Sequence, residues 1–221
     1  MNIEQARFNM IEQQIRPWDV LDTSVLDLLA VVKREDFVPA AYQALAFVDT
    51  EVPLPTSTGP LQCMLAPKVE ARLLQELAVH RHERVLEIGA GSGHMAALLA
   101  HRAQHITTFE IDADLAAFAT ANLKRASVMN ANVVHADGAN GLPADGPFDV
   151  IVLSGSVPEV PASLLAQLKV GGRLVAIVGA LPVMRAVLVT RAADNALERT
   201  VLFDTVAQRL RGVKEPTRFH F

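Results

Sequence analysis

Val85-Leu86-Glu87-Ile88-Gly89-Ala90-Gly91-Ser92-Gly93, followed at once by His94-Met95-Ala96-Ala97-Leu98-Leu99-Ala100, is the stretch on which the reading of the whole chain turns. An apolar run carries one acid, three glycines follow at alternate positions, and a run with helical character begins directly after them. This predicts a buried strand that feeds a tight turn and opens onto a helix N-terminus. Glycines in such a turn permit positive φ and let a ligand lie against the backbone. The unpaired N–H groups of the first helical turn face the same crevice. The arrangement suits a nucleotide-like ligand.

Outward from this point the pattern alternates. Strands are expected at 85–88, 105–110, 132–136, 148–153 and 172–179, and helices at 94–103, 113–125 and 161–168. Strands separated by helices of this length imply parallel pairing through crossovers. Met184–Thr190 and Thr200–Asp204 read as two further strands with a turn at Asp194-Asn195-Ala196, an antiparallel pair at the end of the sheet. Upstream, Ile3, Phe8, Ile11 and Ile15 fall at helical spacing, and Asp22-Thr23 can cap a second helix that Phe37-Val38-Pro39 closes. Residues 48–67 hold four prolines and little periodicity, which predicts an ordered loop or a short irregular strand. Pro67 then opens a helix reaching Val79. The expectation is a single domain over 1–221, with N-terminal helices and a loop in 1–80 and the ligand-binding sheet in 81–221.

Composition narrows the function. The chain has 221 residues, 51% of them hydrophobic and 20% charged, with a formal net charge of −4. That gives ample core and no electrostatic footprint for nucleic acid. The locally basic tail (Arg209, Arg211, Lys214, Arg218) reads as a solvated face. A single cysteine, Cys63, leaves no intrachain disulfide and fits a reducing compartment. The first residues lack the pattern of a signal peptide, and no apolar run reaches the roughly 18 residues of a membrane span. A cytoplasmic protein with no membrane partner is expected, and no His/Cys/Asp cluster has metal-ligand spacing.

The glycine spacing separates the candidate nucleotides. A Walker-type loop needs Gly-Lys-Ser/Thr, which is absent, and a dinucleotide fingerprint would put glycine where His94 stands. The second strand ends in Glu110, about twenty residues beyond the glycines, where a carboxylate can accept hydrogen bonds from ribose hydroxyls. A third strand leads to Asp137-Gly138, where an acid can accept from an adenine amine. Each acid could alternatively cap the helix that follows it. Polar groups at three consecutive strand ends favour the ligand reading.

These residues resemble the first motif and strand ends of class I S-adenosylmethionine-dependent methyltransferases. Pro147-Phe148-Asp149-Val150-Ile151-Val152 and Leu168-Lys169-Val170-Gly171-Gly172-Arg173-Leu174 extend the likeness over roughly 84–179. The resemblance implies that Glu87 orients the methionine part of the cofactor, that Glu110 and Ile111 hold the ribose side, and that Asp137 and Gly138 lie near adenine. Gly89, Ala90, Gly91, Ser92 and Gly93 would form the turn beneath it, with His94 touching the ligand or shaping the wall.

A narrower likeness covers almost the whole chain. Met10-Ile11-Glu12-Gln13-Gln14-Ile15, Lys33-Arg34-Glu35-Asp36-Phe37-Val38-Pro39 and Asp137-Gly138-Ala139-Asn140-Gly141-Leu142-Pro143 are similar to protein-L-isoaspartate O-methyltransferases. This implies an α/β fold, a doubly wound, mostly parallel, seven-stranded Rossmann-like sheet with N-terminal helices over the site. It also implies methylation of the α-carboxylate of an isoaspartyl residue, so that the ester cyclises to a succinimide and the protein is repaired. The family's substrate loop reads approximately Gln-Thr-Ile-Ser-Gln/Ala-Pro, whereas this chain has Gln62-Cys63-Met64-Leu65-Ala66-Pro67. Leu65 stands for the serine and Cys63 for the threonine. Leucine cannot hydrogen-bond a carboxylate, and an unpaired buried polar group costs about 1–3 kcal/mol. Ser57 or Thr58 could take the vacated role, and Arg218-Phe219-His220-Phe221 also departs from the family.

Methyl transfer to a carboxylate is an in-line displacement on a nucleophile already ionised at neutral pH, so no general base is required. Catalytic candidates are therefore confined to the loop Gln62, Cys63, Met64 and Leu65, with Cys63 read as a small packed residue before a nucleophile. Three functions stay open: methylation of a protein or peptide isoaspartyl carboxylate, methylation of a small molecule or other protein carboxylate, and cofactor binding without turnover. A nicotinamide dehydrogenase is disfavoured by His94.

Overall fold

The computed structural model describes residues 2–56 and 59–213. Ser57, Thr58 and the Arg218–Phe221 end, singled out above, lie outside the described residues. The N-terminal layer opens with α1 (Ile3–Met10), capped by Asn2. It runs on as a π-helical turn, Ile11–Ile15, and a 3-10 turn, Arg16–Trp18, so the predicted helix over 3–15 changes its hydrogen-bonding pattern partway. Helix α2 (Thr23–Val31) starts at its Asp22 cap, whose side chain accepts from the Ser24 N–H, and ends well before Pro39. Within 48–67 the irregular segment forms two short antiparallel strands, β1 (Val52–Pro53) and β2 (Cys63–Met64). Helix α3 (Pro67–Leu77) begins on its proline and stops where Ala78 turns left-handed.

The sheet follows: β3 (Arg84–Ile88), α4 (His94–Ala100), β4 (His105–Glu110), α5 (Ala113–Arg125), β5 (Ala131–His135), β6 (Phe148–Val157), α6 (Ala162–Leu165), β7 (Leu168–Ala180), β8 (Val183–Ala193) and β9 (Ala196–Thr205). Its seven strands lie in the order β5-β4-β3-β6-β7-β8-β9. The first five are parallel, and β8 and β9 pair antiparallel, as expected for the C-terminal pair. Boundaries differ where neighbours intervene. Helices 94–103 and 161–168 close early, at Ala100 and Leu165. Strands β6 and β7 run longer than apolar periodicity suggested, because β7 pairs with β6 from Leu168 and with β8 throughout its C-terminal half.

Side-chain alternation explains why near-continuous apolar strands sit here. Val85, Val150, Val152, Val175 and Ile177 join the core under the N-terminal helices, α3 and α4. Leu86, Ile151, Leu153, Leu174 and Ala176, one position away in each strand, join the core on the opposite face. Strand order reverses between β3 and β6, which leaves a crevice at their carboxyl ends. No helix among the described residues is long and apolar enough to cross a membrane.

Arg173 locks the helical layer to the sheet. From β7 it pairs with Glu83 through Nη1 (2.6 Å) and Nη2 (2.9 Å), and donates to the carbonyls of Leu77 and Ala78 at the end of α3. Removing the guanidinium leaves Glu83, itself 6% exposed, without its counter-ion. Arg173→Ala is expected to lower unfolding free energy by about 2–4 kcal/mol in a urea titration, with Arg173→Lys restoring only part of it.

Candidate active site

The turn after β3 is fixed by its own backbone. The N–H groups of Gly89 and Ala90 both donate to the Phe109 carbonyl on β4, at 2.8 and 3.0 Å, and Gly93 N–H donates to Ala90 at 2.7 Å. Gly93 has φ 82°, and a Cβ there would meet the Ala119 carbonyl of α5 at 3.2 Å, so only glycine fits. Asn122 secures the same turn by donating from Nδ2 to the Ser92 carbonyl at 2.9 Å.

Two acids at strand ends face this turn. Glu110, closing β4, accepts from Gly91 N–H at 2.8 Å and from Asp112 N–H at 3.1 Å. Its carboxylate is therefore held rigidly beside the glycines. Glu87 is fully buried inside β3, and burial pushes its carboxyl up to about 7, against the hydrogen bond that Ser154 Oγ donates to Oε1 at 2.6 Å. Its Oε2 makes no hydrogen bond of normal geometry, and the Thr108 hydroxyl, directly across on β4, is near enough to pull the carboxyl down somewhat. A buried carboxyl with an open acceptor at the switch point of the sheet is suited to a cationic group brought by a ligand.

The crevice between these strand ends is lined by Gly89, Gly91, Glu110, Ile111 and Gly138 from the predicted set. Gln62 and Cys63 form its loop side. Met64 and Leu65, from the same loop, are buried in the core at 4% and 5% exposure. Glu87, Ala90, Ser92, Gly93 and Asp137 are not among the lining residues, and Asp137 Oδ1 accepts from the Ala139 N–H at 2.9 Å. His94 turns away: its Nδ1 lies 3.0 Å from Glu70 Oε2 and its ring packs 5.2 Å from that of Phe37. Leu54, Ile88, Phe109, Leu115, Ser154, Leu210 and Arg211 complete the lining. Leu54, Leu210 and Arg211 carry no sequence signal for this site, because each reaches it only through the return of a distant segment.

Burial, reinforced by Glu51, pushes the Cys63 thiol up to about 11, so it is protonated at neutral pH. Behind the loop, Arg34 pairs with Glu70 and donates from Nη2 to the Leu65 carbonyl at 2.8 Å. Burial works to raise the Glu70 carboxyl, but His94 and Arg34 hold it below its ordinary value. Among the described residues no group of His, Cys, Asp and Glu is arranged to hold a metal ion.

A glycine turn, an acid inside the first strand and an acid ending the second meet at the reversal of a mostly parallel sheet, a Rossmann-like arrangement that binds a nucleotide-type ligand. The family model for protein-L-isoaspartate(D-aspartate) O-methyltransferase matches residues 5–207. A protein-L-isoaspartate O-methyltransferase of Koribacter versatilis is 38% identical over 198 residues, covering 90% of this chain and 87% of that protein. One of Rhodopseudomonas palustris is 43% identical over 171 residues, 77% of each. The chain belongs to the protein-L-isoaspartate(D-aspartate) O-methyltransferase family. Solved structures share the fold. One named protein-L-isoaspartate O-methyltransferase has a TM-score of 0.82 at 23% identity, covering 93% of this chain and 66% of that one, just under two thirds of its length. A Plasmodium falciparum structure of the same name, in complex with S-adenosyl-L-homocysteine, has a TM-score of 0.75 at 21% identity, covering 93% and 98%.

The elevated Glu87 carboxyl carries a pH signature. Below its ordinary value of 4.5 it is protonated in folded and unfolded chains alike. Between 4.5 and about 7 the unfolded chain releases the proton and the folded one keeps it, so stability falls as pH rises. Above that window the loss is complete, on the order of 3 kcal/mol. Glu87→Gln removes this component. Urea unfolding of ligand-free protein near pH 5 and near pH 8 is expected to show the variant gaining on the wild type at the higher pH.

Proposed function

We propose that this methyltransferase acts on the α-carboxylate of isoaspartyl residues in proteins or peptides, within the cytoplasm, as its single cysteine suits. The observation that supports the reading is the buried Glu87 carboxyl with an unsatisfied oxygen beside the glycine turn. S-adenosylmethionine, when bound, supplies an electrophilic methyl group on a sulfonium. Glu87 would accept from the cofactor's ammonium, and Glu110 from its ribose hydroxyls, with Ile111 and Leu115 against the adenosine. Gly138 leaves room at the end of β5, where Asp137 lies within reach of the adenine amine.

The chain's own part in the reaction is positioning. An acceptor carboxylate is ionised at neutral pH, and the protonated Cys63 thiol beside it offers no competing nucleophile. Gln62 and Cys63 present the loop side of the crevice, and the apolar walls from Leu54, Ile88 and Leu210 exclude water from the transfer. With Leu65 packed in the core, the loop offers no hydroxyl at that position. This favours a second reading in the same family, transfer to another protein carboxylate or a small-molecule acid.

Incubation of the protein with an isoaspartyl peptide and methyl-labelled cofactor tests the acceptor. Base-labile methyl ester, released as methanol, is expected; label on a free small acid but not on the peptide would select the second reading. Gln62→Ala is expected to lower kcat/KM for the peptide about tenfold while leaving cofactor affinity within about twofold. Glu87→Gln is expected to weaken S-adenosylmethionine binding in calorimetry by about tenfold or more, since it removes a charge-assisted acceptor.

A further inference from the structure

One short segment touches every strand end of the crevice. After β9 the chain returns across the sheet, with Ala207 and Leu210 buried at 3% and 8% exposure. Ser156 near the end of β6 holds it. Ser156 N–H donates to the Gln208 carbonyl at 2.8 Å, Ser156 Oγ to the Ala207 carbonyl at 2.9 Å, and Leu210 N–H to the Ser156 carbonyl at 2.9 Å. Arg209 Nη2 donates to the Gly179 carbonyl of β7 at 2.9 Å. Beyond this anchored base, Leu210 Cδ2 comes within 2.7 Å of where a Cβ on Gly89 would stand, and equally of one on Gly155. Gly212 lies so close to Asp137 that its own Cβ would meet Oδ1 at 2.8 Å.

Arg211 ties the tip down. Its Nη1 pairs with Asp112 Oδ2 at 2.5 Å, and the Asp112 side chain is 3% exposed. The other oxygen of Asp112 caps α5, accepting from the N–H groups of Asp114 and Leu115 at 2.9 and 3.2 Å. The guanidinium carbon also sits 3.2 Å from the Cβ position of Gly59 in the loop before β2. Arg211 thus spans the mouth of the crevice, from Asp112, two residues after the ribose-side acid, to the substrate-side loop.

We propose that residues 207–212 form the closing wall of the cofactor crevice, with the Arg211–Asp112 ion pair as its latch, so that S-adenosylmethionine passes only when this segment lifts. This rests on the methyltransferase reading of the crevice. Backbone hydrogen bonds hold the segment at Ser156, and Arg211 ties its tip to Asp112. While the latch is closed Leu210 fills the space against the glycine turn, so the turn is open to a cofactor only once the segment has lifted. Because the ion pair stabilises the closed state of the empty protein, breaking it raises the population that can admit ligand.

The test is the binding kinetics of S-adenosyl-L-homocysteine on the full chain, by stopped flow or surface plasmon resonance, for wild type, Arg211→Ala and Arg211→Lys. Arg211→Ala is expected to raise the association rate constant about tenfold and to tighten binding by a similar factor, with the dissociation rate constant moving less than about threefold. Arg211→Lys keeps the charge and is expected to stay near wild type. Hydrogen exchange at the Leu210 amide, which donates to Ser156 in the closed state, is expected to quicken in Arg211→Ala. A variant that merely loses fold stability cannot associate faster, which separates a latch from a scaffold role. Unchanged rate constants, or faster dissociation with unchanged association, overturn the proposal and leave the methyltransferase reading intact. A wild-type protein that fails to bind the ligand overturns both.

Discussion

The buried carboxyl of Glu87 is the constraint around which the rest of the site is arranged. It lies inside the central strand, where the sheet reverses direction, with one oxygen satisfied by Ser154 and the other left open. Such a group is costly unless a partner arrives. The protein bears that cost because the surrounding strands are apolar on both faces and joined by ladders on either side of β3. A rigid parallel sheet fixes the acid, the glycine turn and the acid at the end of β4 in one frame. The turn and Glu110 then define each other through the Gly91 N–H.

The N-terminal helices extend that frame to the substrate side. Arg34, Glu70 and His94 form a buried polar chain from the segment after α2, through α3, to the first residue of α4. Arg34 also holds the Leu65 carbonyl. The loop is thus positioned through its backbone, and the leucine side chain faces inward. A loop anchored in this way can tolerate the replacement of a family serine without losing its path, which separates the integrity of the fold from the identity of the acceptor. Arg7 and Glu35 make a second buried pair in the same layer, tying α1 to the segment that carries Arg34.

The five parallel strands, their order of appearance and the glycine turn were legible in the sequence because each rests on local signals: apolar alternation, helix caps and residues that tolerate positive φ. Asp22 before α2 and Pro67 opening α3 are such signals, and both stand at helix starts in the structure. Glu87 and Glu110 were recognisable as acids in apolar strands. What Glu87 does with each oxygen was not, since that depends on Ser154, 67 positions away. His94 shows the limit from the other side. Its place beside the turn suggested ligand contact, but Glu70 on another helix draws its ring into the core.

From the sequence by itself come the α/β class, the site of the crevice and the family, because a strand, a turn and a helix start are written in consecutive residues. Only the tertiary structure decided which loop residues face the crevice, where His94 points, and that the segment after β9 closes over the glycine turn. Those outcomes depend on contacts between residues such as Gly89 and Leu210, brought together by the complete sheet and by nothing in their neighbouring sequence.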